Sequence, residues 1–164
     1  MGYSWVYMGE GTLPEAALEA WLSESTEGEL VEGAESWGFE GQATVSETLD
    51  FLASDEVSDV RWDGGAIRVR VIADKSGDAW LTYRGDLANA FVLLGKHGGS
   101  GTLTVVGFDD GPEEGVRIEV RAGQPTNVVE LDEEAVTRIR ERDEYREIYA
   151  LAEKAYGGLP GELE

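Results

Sequence analysis

The sequence predicts a single α+β domain, 1–164, in which a mainly antiparallel sheet packs with about four helices, the last of them long. Three observations carry this reading. A chain of 164 residues has material for one well-filled core but not for two. Runs of alternating apolar and polar residues are separated by short glycine-containing turns, which suits hairpins better than parallel crossovers. Other stretches carry helical periodicity behind hydroxyl or acidic residues of the kind that start helices. With 41% hydrophobic and 9% aromatic residues, the chain can fill such a core although 29% of it is charged.

Taken in order, Tyr3, Trp5 and Tyr7 alternate with Ser4, Val6 and Met8, the period of a strand at least partly covered on both faces. Thr12-Leu13-Pro14-Glu15 has the spacing of a capping box, and Leu18, Trp21 and Leu22 follow at helical spacing, which predicts a helix over 13–23. A second box, Thr44-Val45-Ser46-Glu47, opens a helix over 45–54 whose Val45, Leu49 and Leu52 share a face. Between these helices Ser23 to Glu40 sets Glu24, Glu27, Glu29, Glu32, Glu35 and Glu40 among glycines, with Trp37 and Phe39 at its end. Like charges extend a chain and resist packing, so this stretch reads as a solvated, mobile loop; the sharper reading is a docking loop with Trp37 as its aromatic anchor.

Beyond Val57 strands take over. Asp63-Gly64-Gly65 supplies the positive-φ residues of a tight hairpin between VRW and AIRVRVIA, in which Ile67, Val69 and Val71 line one face and Arg68 and Arg70 the other. Lys75-Ser76-Gly77-Asp78 reads as a second turn, leading into AWLTYR as the third strand of a meander. Asp86 then reads as the cap of a helix over 86–96, stopped by Gly98 after a basic Lys96-His97 end that suits the helix dipole. TLTVVGF and GVRIEVRA form a hairpin around DDGPEE, and Asp132-Glu133-Glu134 opens a helix over 133–156. In that helix Tyr145, Tyr149, Ala152 and Tyr156 form one stripe, read as core with a docking surface as the alternative.

Charge is the strongest clue to function. Thirty-four acids against thirteen bases give a formal net charge of −21, a field that repels phosphates and anionic lipid and attracts cationic partners. The charge is also polarised: Met1 to Val60 holds fourteen acids and no Lys, Arg or His, whereas the remainder holds 20 acids and 13 bases. The expectation is a protein that binds neither nucleic acid nor membrane and docks a cationic protein. The residues placed in that contact are Glu24, Glu27, Glu29, Glu32, Glu35 and Trp37, together with Asp109, Asp110, Glu113 and Glu114 in the turn of the second hairpin.

Catalytic chemistry finds little to build on. The chain has no cysteine, which removes thiol nucleophiles, disulfides and thiolate metal sites. His97 is the only histidine, so a two-histidine metal site is impossible, and its place at a helix end suits a structural role. Gly98-Gly99-Ser100-Gly101 follows a helix and opens a strand, the reverse of a phosphate cradle. Asp109, Asp110, Glu113 and Glu114 crowd one turn without the alternating spacing that wraps calcium. No enzyme activity, metal or cofactor is expected. MGYSWVYMGE has no basic segment ahead of an apolar one, and no run approaches the roughly 18 apolar residues that span a bilayer, so the protein reads as soluble and cytoplasmic.

In size, absence of cysteine, base-free acidic segment over 1–60 and order of capped helix, hairpin strands and terminal helix, the chain resembles the small acidic α+β immunity proteins of bacterial polymorphic toxin systems. The resemblance is one of general character, and no residue role is carried over from it. It implies a protein that occludes the active site of a cognate toxin, such as a nuclease or deaminase. The alternative is a small-molecule-binding or enzymatic α+β domain with an aromatic-lined pocket, and a third reading takes the acidity as halophilic adaptation.

Overall fold

The computed structural model describes residues 4–28, 30–31, 44–53, 58–74, 78–107 and 114–156. In chain order they form β1 (Ser4–Thr12), a 3-10 turn (Glu15–Ala17), α1 (Leu18–Leu22), α2 (Val45–Ala53), β2 (Ser58–Asp63), β3 (Ala66–Asp74) and α3 (Asp78–Lys96). These are followed by β4 (Ser100–Gly107), β5 (Gly115–Val120), β6 (Asn127–Leu131), α4 (Glu133–Arg140) and α5 (Asp143–Tyr156). The strands make one sheet in the order β2-β3-β1-β4-β5-β6, with every neighbouring pair antiparallel. The α+β class and the antiparallel sheet are thus as expected.

The alternation in β1 explains its central place. Tyr7 packs with Trp21, Leu49 and Phe91 in a core built from α1, α2 and α3. Val6 and Met8, pointing the other way, pack with Val136, Ile139, Tyr145 and Ile148 of α4 and α5. A strand apolar on both faces must be covered twice, and here the helices supply both covers. On the first side α3 lies unusually close to the sheet. A Cβ placed on Gly9 would fall 2.5 Å from Cζ of Phe91, and one on Gly11 would fall 2.9 Å from Cδ1 of Leu94. Glycine at these two positions is what admits the helix.

Several expectations hold in detail. Gly64 and Gly65 turn the β2–β3 hairpin at φ values of 60° and 86°. Thr44 and Glu47 form the reciprocal capping box of α2, each backbone N–H donating to the other side chain at 3.2 Å. Asp132 caps α4 by accepting from Ala135 N–H at 2.8 Å.

Others are corrected. AWLTYR lies within α3, not in a strand: β1 and β2 already occupy both edges of β3, so a meander strand following β3 would have no partner there. Asp86 consequently sits inside α3, buried, and caps nothing. Thr12-Leu13-Pro14-Glu15 is not a capping box, because Thr12 is held in β1 between Ala66 and Ser100 and no side chain caps the 3-10 turn after Pro14.

The long terminal helix is in fact two, interrupted at Glu141 and Arg142. Val136 and Tyr145 are both buried in the second core, yet nine residues of continuous helix make about two and a half turns and would place them on opposite faces. Breaking the helix lets both sides face the sheet. Finally, β6 carries no periodic signal of its own, because five residues give too short an alternation.

The close seating of α3 can be tested directly. Gly9→Ala should destabilise the protein by about 1–3 kcal/mol through overpacking against Phe91, and adding Phe91→Leu should recover part of that loss. Urea unfolding of the two variants measures both effects.

Candidate functional site

The acidic segment begins at the end of α1, and its first residues are fixed. Ser23 Oγ donates to Glu19 O at 2.9 Å, which closes the helix. Glu24 O then accepts from Val45 N–H at 2.9 Å, and Ser25 pairs with Thr44 across a single antiparallel bridge. From there the chain runs along α3. Trp21 Nε1–H donates to Ala90 O at 2.9 Å, and the buried Thr26 hydroxyl donates to Asp86 Oδ1 at 3.0 Å.

Asn89 is the principal clamp. Its amide nitrogen donates to Thr26 O at 2.7 Å and Gly28 O at 2.9 Å, while its oxygen accepts from Leu30 N–H at 3.3 Å. Asp86 and Asn89 are three apart and therefore share a face of α3. Both are buried, and each finds its partner in the segment beside it. Val31 closes this root with a buried side chain.

The root also meets the chain's scarce bases. Glu24 Oε1 accepts from Lys96 Nζ at 2.6 Å and lies 3.1 Å from His97 Nε2. The Lys96 ammonium holds the Glu24 carboxyl below its ordinary value, with partial burial opposing and His97 assisting. His97 therefore joins a helix end to the acidic segment, a contact that the sequence reading of a helix-terminal histidine did not include.

Of the residues expected to meet a partner, Glu24 is engaged in this ion pair and Glu27 is exposed. Glu114 is exposed beside the far end of β4, where its carbonyl accepts from Gly107 N–H. Glu24 is tied to Lys96 and His97 ahead of β4, and Glu114 to Gly107 at its other end, so the 8-residue strand, about 23 Å long, lies between them. Glu29, Glu32, Glu35, Trp37, Asp109, Asp110 and Glu113 lie outside the described residues. In the tyrosine stripe, Tyr145 is buried and Tyr149 half-buried against the second core.

A second feature was not expected. On the α4–α5 side of the sheet a shallow groove of about 320 Å³ is lined by Glu10, Thr12, Arg68, Ser100 and Gly101 among others. Beside it Arg68 and Arg70 both reach Glu147 of α5, Arg70 from a buried position, and Arg68 lies 3.6 Å from Asp59. The alternation of Arg68 and Arg70 with Ile67, Val69 and Val71 was the signal that this face is polar. Among the described residues no group of three or more His, Asp or Glu is placed to hold a metal ion, and no helix is long and apolar enough to cross a membrane.

Comparison of the chain with protein-family models, curated proteins and solved structures finds no match.

Two measurements test the root. Asn89→Ala removes its hydrogen bonds to the Thr26 and Gly28 carbonyls and the Leu30 amide, and should cost about 1–3 kcal/mol while accelerating exchange of the Leu30 amide proton. Glu24→Gln should cost about 0.5 kcal/mol at neutral pH. Because the folded carboxyl is lowered from 4.5, its stabilisation is present above that value and disappears as pH falls through the folded one. Thermal melts of wild type and Glu24→Gln should therefore differ at pH 7 and converge in acid.

Proposed function

We propose that the chain is a non-enzymatic acidic binding protein that neutralises a cationic protein partner. In the finer form of the proposal, the partner is a bacterial toxin of the nuclease or deaminase kind whose active site it occludes. The observation that carries this reading is the base-free segment from Met1 to Val60, with fourteen acids. Its electrostatic field extends about 8 Å at physiological ionic strength and raises the rate of encounter with a basic surface. The root on α3 supports the reading, since Asp86 and Asn89 hold the first residues of the acidic segment at a defined place on the fold.

A second reading, a small-molecule-binding or enzymatic domain, draws on the groove beside Glu10 and Arg68. The groove is shallow, and charged side chains stand at its rim in place of the aromatic lining that reading calls for.

The test is kinetic. With the partner captured from the native host, replacing Glu27, Glu29, Glu32 and Glu35 together by Gln should slow association about tenfold at low salt and flatten its salt dependence. Trp37→Ala should act on dissociation instead, making it faster. Unchanged association across a salt series, with the fold intact, removes this segment as the steering surface.

A further inference from the structure

The geometry points to β6 as a docking edge that takes an extended, basic segment of the partner as a seventh strand. This rests on the reading of the chain as a binder of a cationic protein, and adds where and how that protein is held. In an antiparallel ladder, alternate residues turn both backbone groups toward the same neighbour. Leu13 N–H donates to Gly65 O beside the β1–β3 pair, and Gly107 N–H to Glu114 O beside β4–β5. Carried across the sheet, both bonds fix the same phase: Gly115, Arg117 and Glu119 face β6 and pair with Leu131, Val129 and Asn127. Val128 and Glu130 are left with N–H and C=O directed away from the sheet, and among the described residues no strand lies on that side.

The edge is short and carries one charge, Glu130, which repels an acidic strand but admits a basic one. Lysine, proline and bulges discourage strand addition, and Asn127-Val128-Val129-Glu130-Leu131 has none of them. The opposite edge, β2, carries Arg61 held to Asp59 at 2.7 Å. Val128 is 43% exposed, and it shares the α3 side of the sheet with Glu130, two residues on. From Asn127 to Glu134 the chain adds Asp132, Glu133 and Glu134 with no base. Arg117 and Arg138 on the adjoining elements lie within 4 Å of Glu119 and Glu134 respectively.

These features define the occupant's chemistry. On the face shared with Val128 and Glu130 the incoming strand needs an apolar residue and, two positions away, Lys or Arg, since side chains on adjacent strands meet in cross-strand pairs. A second copy of this chain is the wrong occupant. It would bring one acidic edge against another, in molecules that each carry −21.

The probe is the capped nine-residue peptide Thr-Val-Thr-Lys-Thr-Val-Thr-Lys-Thr, with Glu in place of Lys as its control, followed by amide hydrogen exchange. In the free protein the Val128 and Glu130 amides should exchange rapidly, and the Lys peptide should slow them at least tenfold while the Glu peptide does not. Glu130→Pro removes an outward N–H at a position where edge strands tolerate proline, and Val128→Lys installs a guard without touching the backbone. Each should weaken binding of the Lys peptide about tenfold or more with an unchanged melting temperature. Protection of both amides in the free protein overturns the inference, as does concentration-dependent dimerisation that Val128→Lys abolishes. Lys-peptide binding unaffected by either variant overturns the edge assignment while leaving the cationic-partner reading in place. Failure of both peptides overturns the edge as well, and the association kinetics of the Gln variant then judge the broader reading separately.

Discussion

The close contact between α3 and the glycine-bearing stretch of β1 is the constraint on which the rest of the structure depends. Gly9 and Gly11 leave room for Phe91 and Leu94, and that proximity buries one flank of the helix against the sheet. Trp21 comes from α1 to donate its indole N–H to Ala90, while Asp86 and Asn89 hold Thr26, Gly28 and Leu30. A buried polar side chain is costly unless its hydrogen bonds are made. Asp86 and Asn89, buried in α3, therefore dictate the path of the segment beside it.

The far side of the sheet follows a different logic. There α4 and α5 cover Val6, Met8, Ile72 and Val106, and a break between the helices reconciles two apolar faces half a turn out of phase. Several bases of this chain are paired with its own acids or carbonyls. Arg70 and Arg68 reach Glu147, Arg61 reaches Asp59, Lys96 reaches Glu24, and Arg140 donates to the Gly107 carbonyl at 2.6 Å. With 34 acids against 13 bases, such pairing still leaves a large surplus of acids to set the external field.

Much of the fold was legible because its signals were local. The β2–β3 hairpin is announced by Gly64 and Gly65, α2 by the Thr44–Glu47 box, and the central place of β1 by the apolar character of both its faces. The errors arose where tertiary context decided. AWLTYR has strand-like composition, but β3 has no free edge to offer it. Asp86 resembles a cap in sequence and is a buried acceptor in the structure. The break near Glu141 was available from the phase difference between Val136 and Tyr145, which the stripe of tyrosines obscured. The acidic character of the site was visible at once, whereas Asn89, which joins residues about sixty positions apart in sequence, could not be recognised without the fold.

The anchoring of the acidic segment has a bearing on how such a protein changes over time. Its two ends are posts: Val31 is buried beside the Asn89 clamp, and Thr44 is bridged to Ser25 as it enters α2. What the fold asks of this segment is concentrated at Ser25, Thr26, Gly28, Leu30, Val31 and Thr44, where its hydrogen bonds, its bridge and its burial lie. Descendants of this chain are therefore expected to hold Asn89, Val31 and Thr44 more tightly than an exposed neighbour such as Glu27, because a change at a post disturbs how the whole segment is seated.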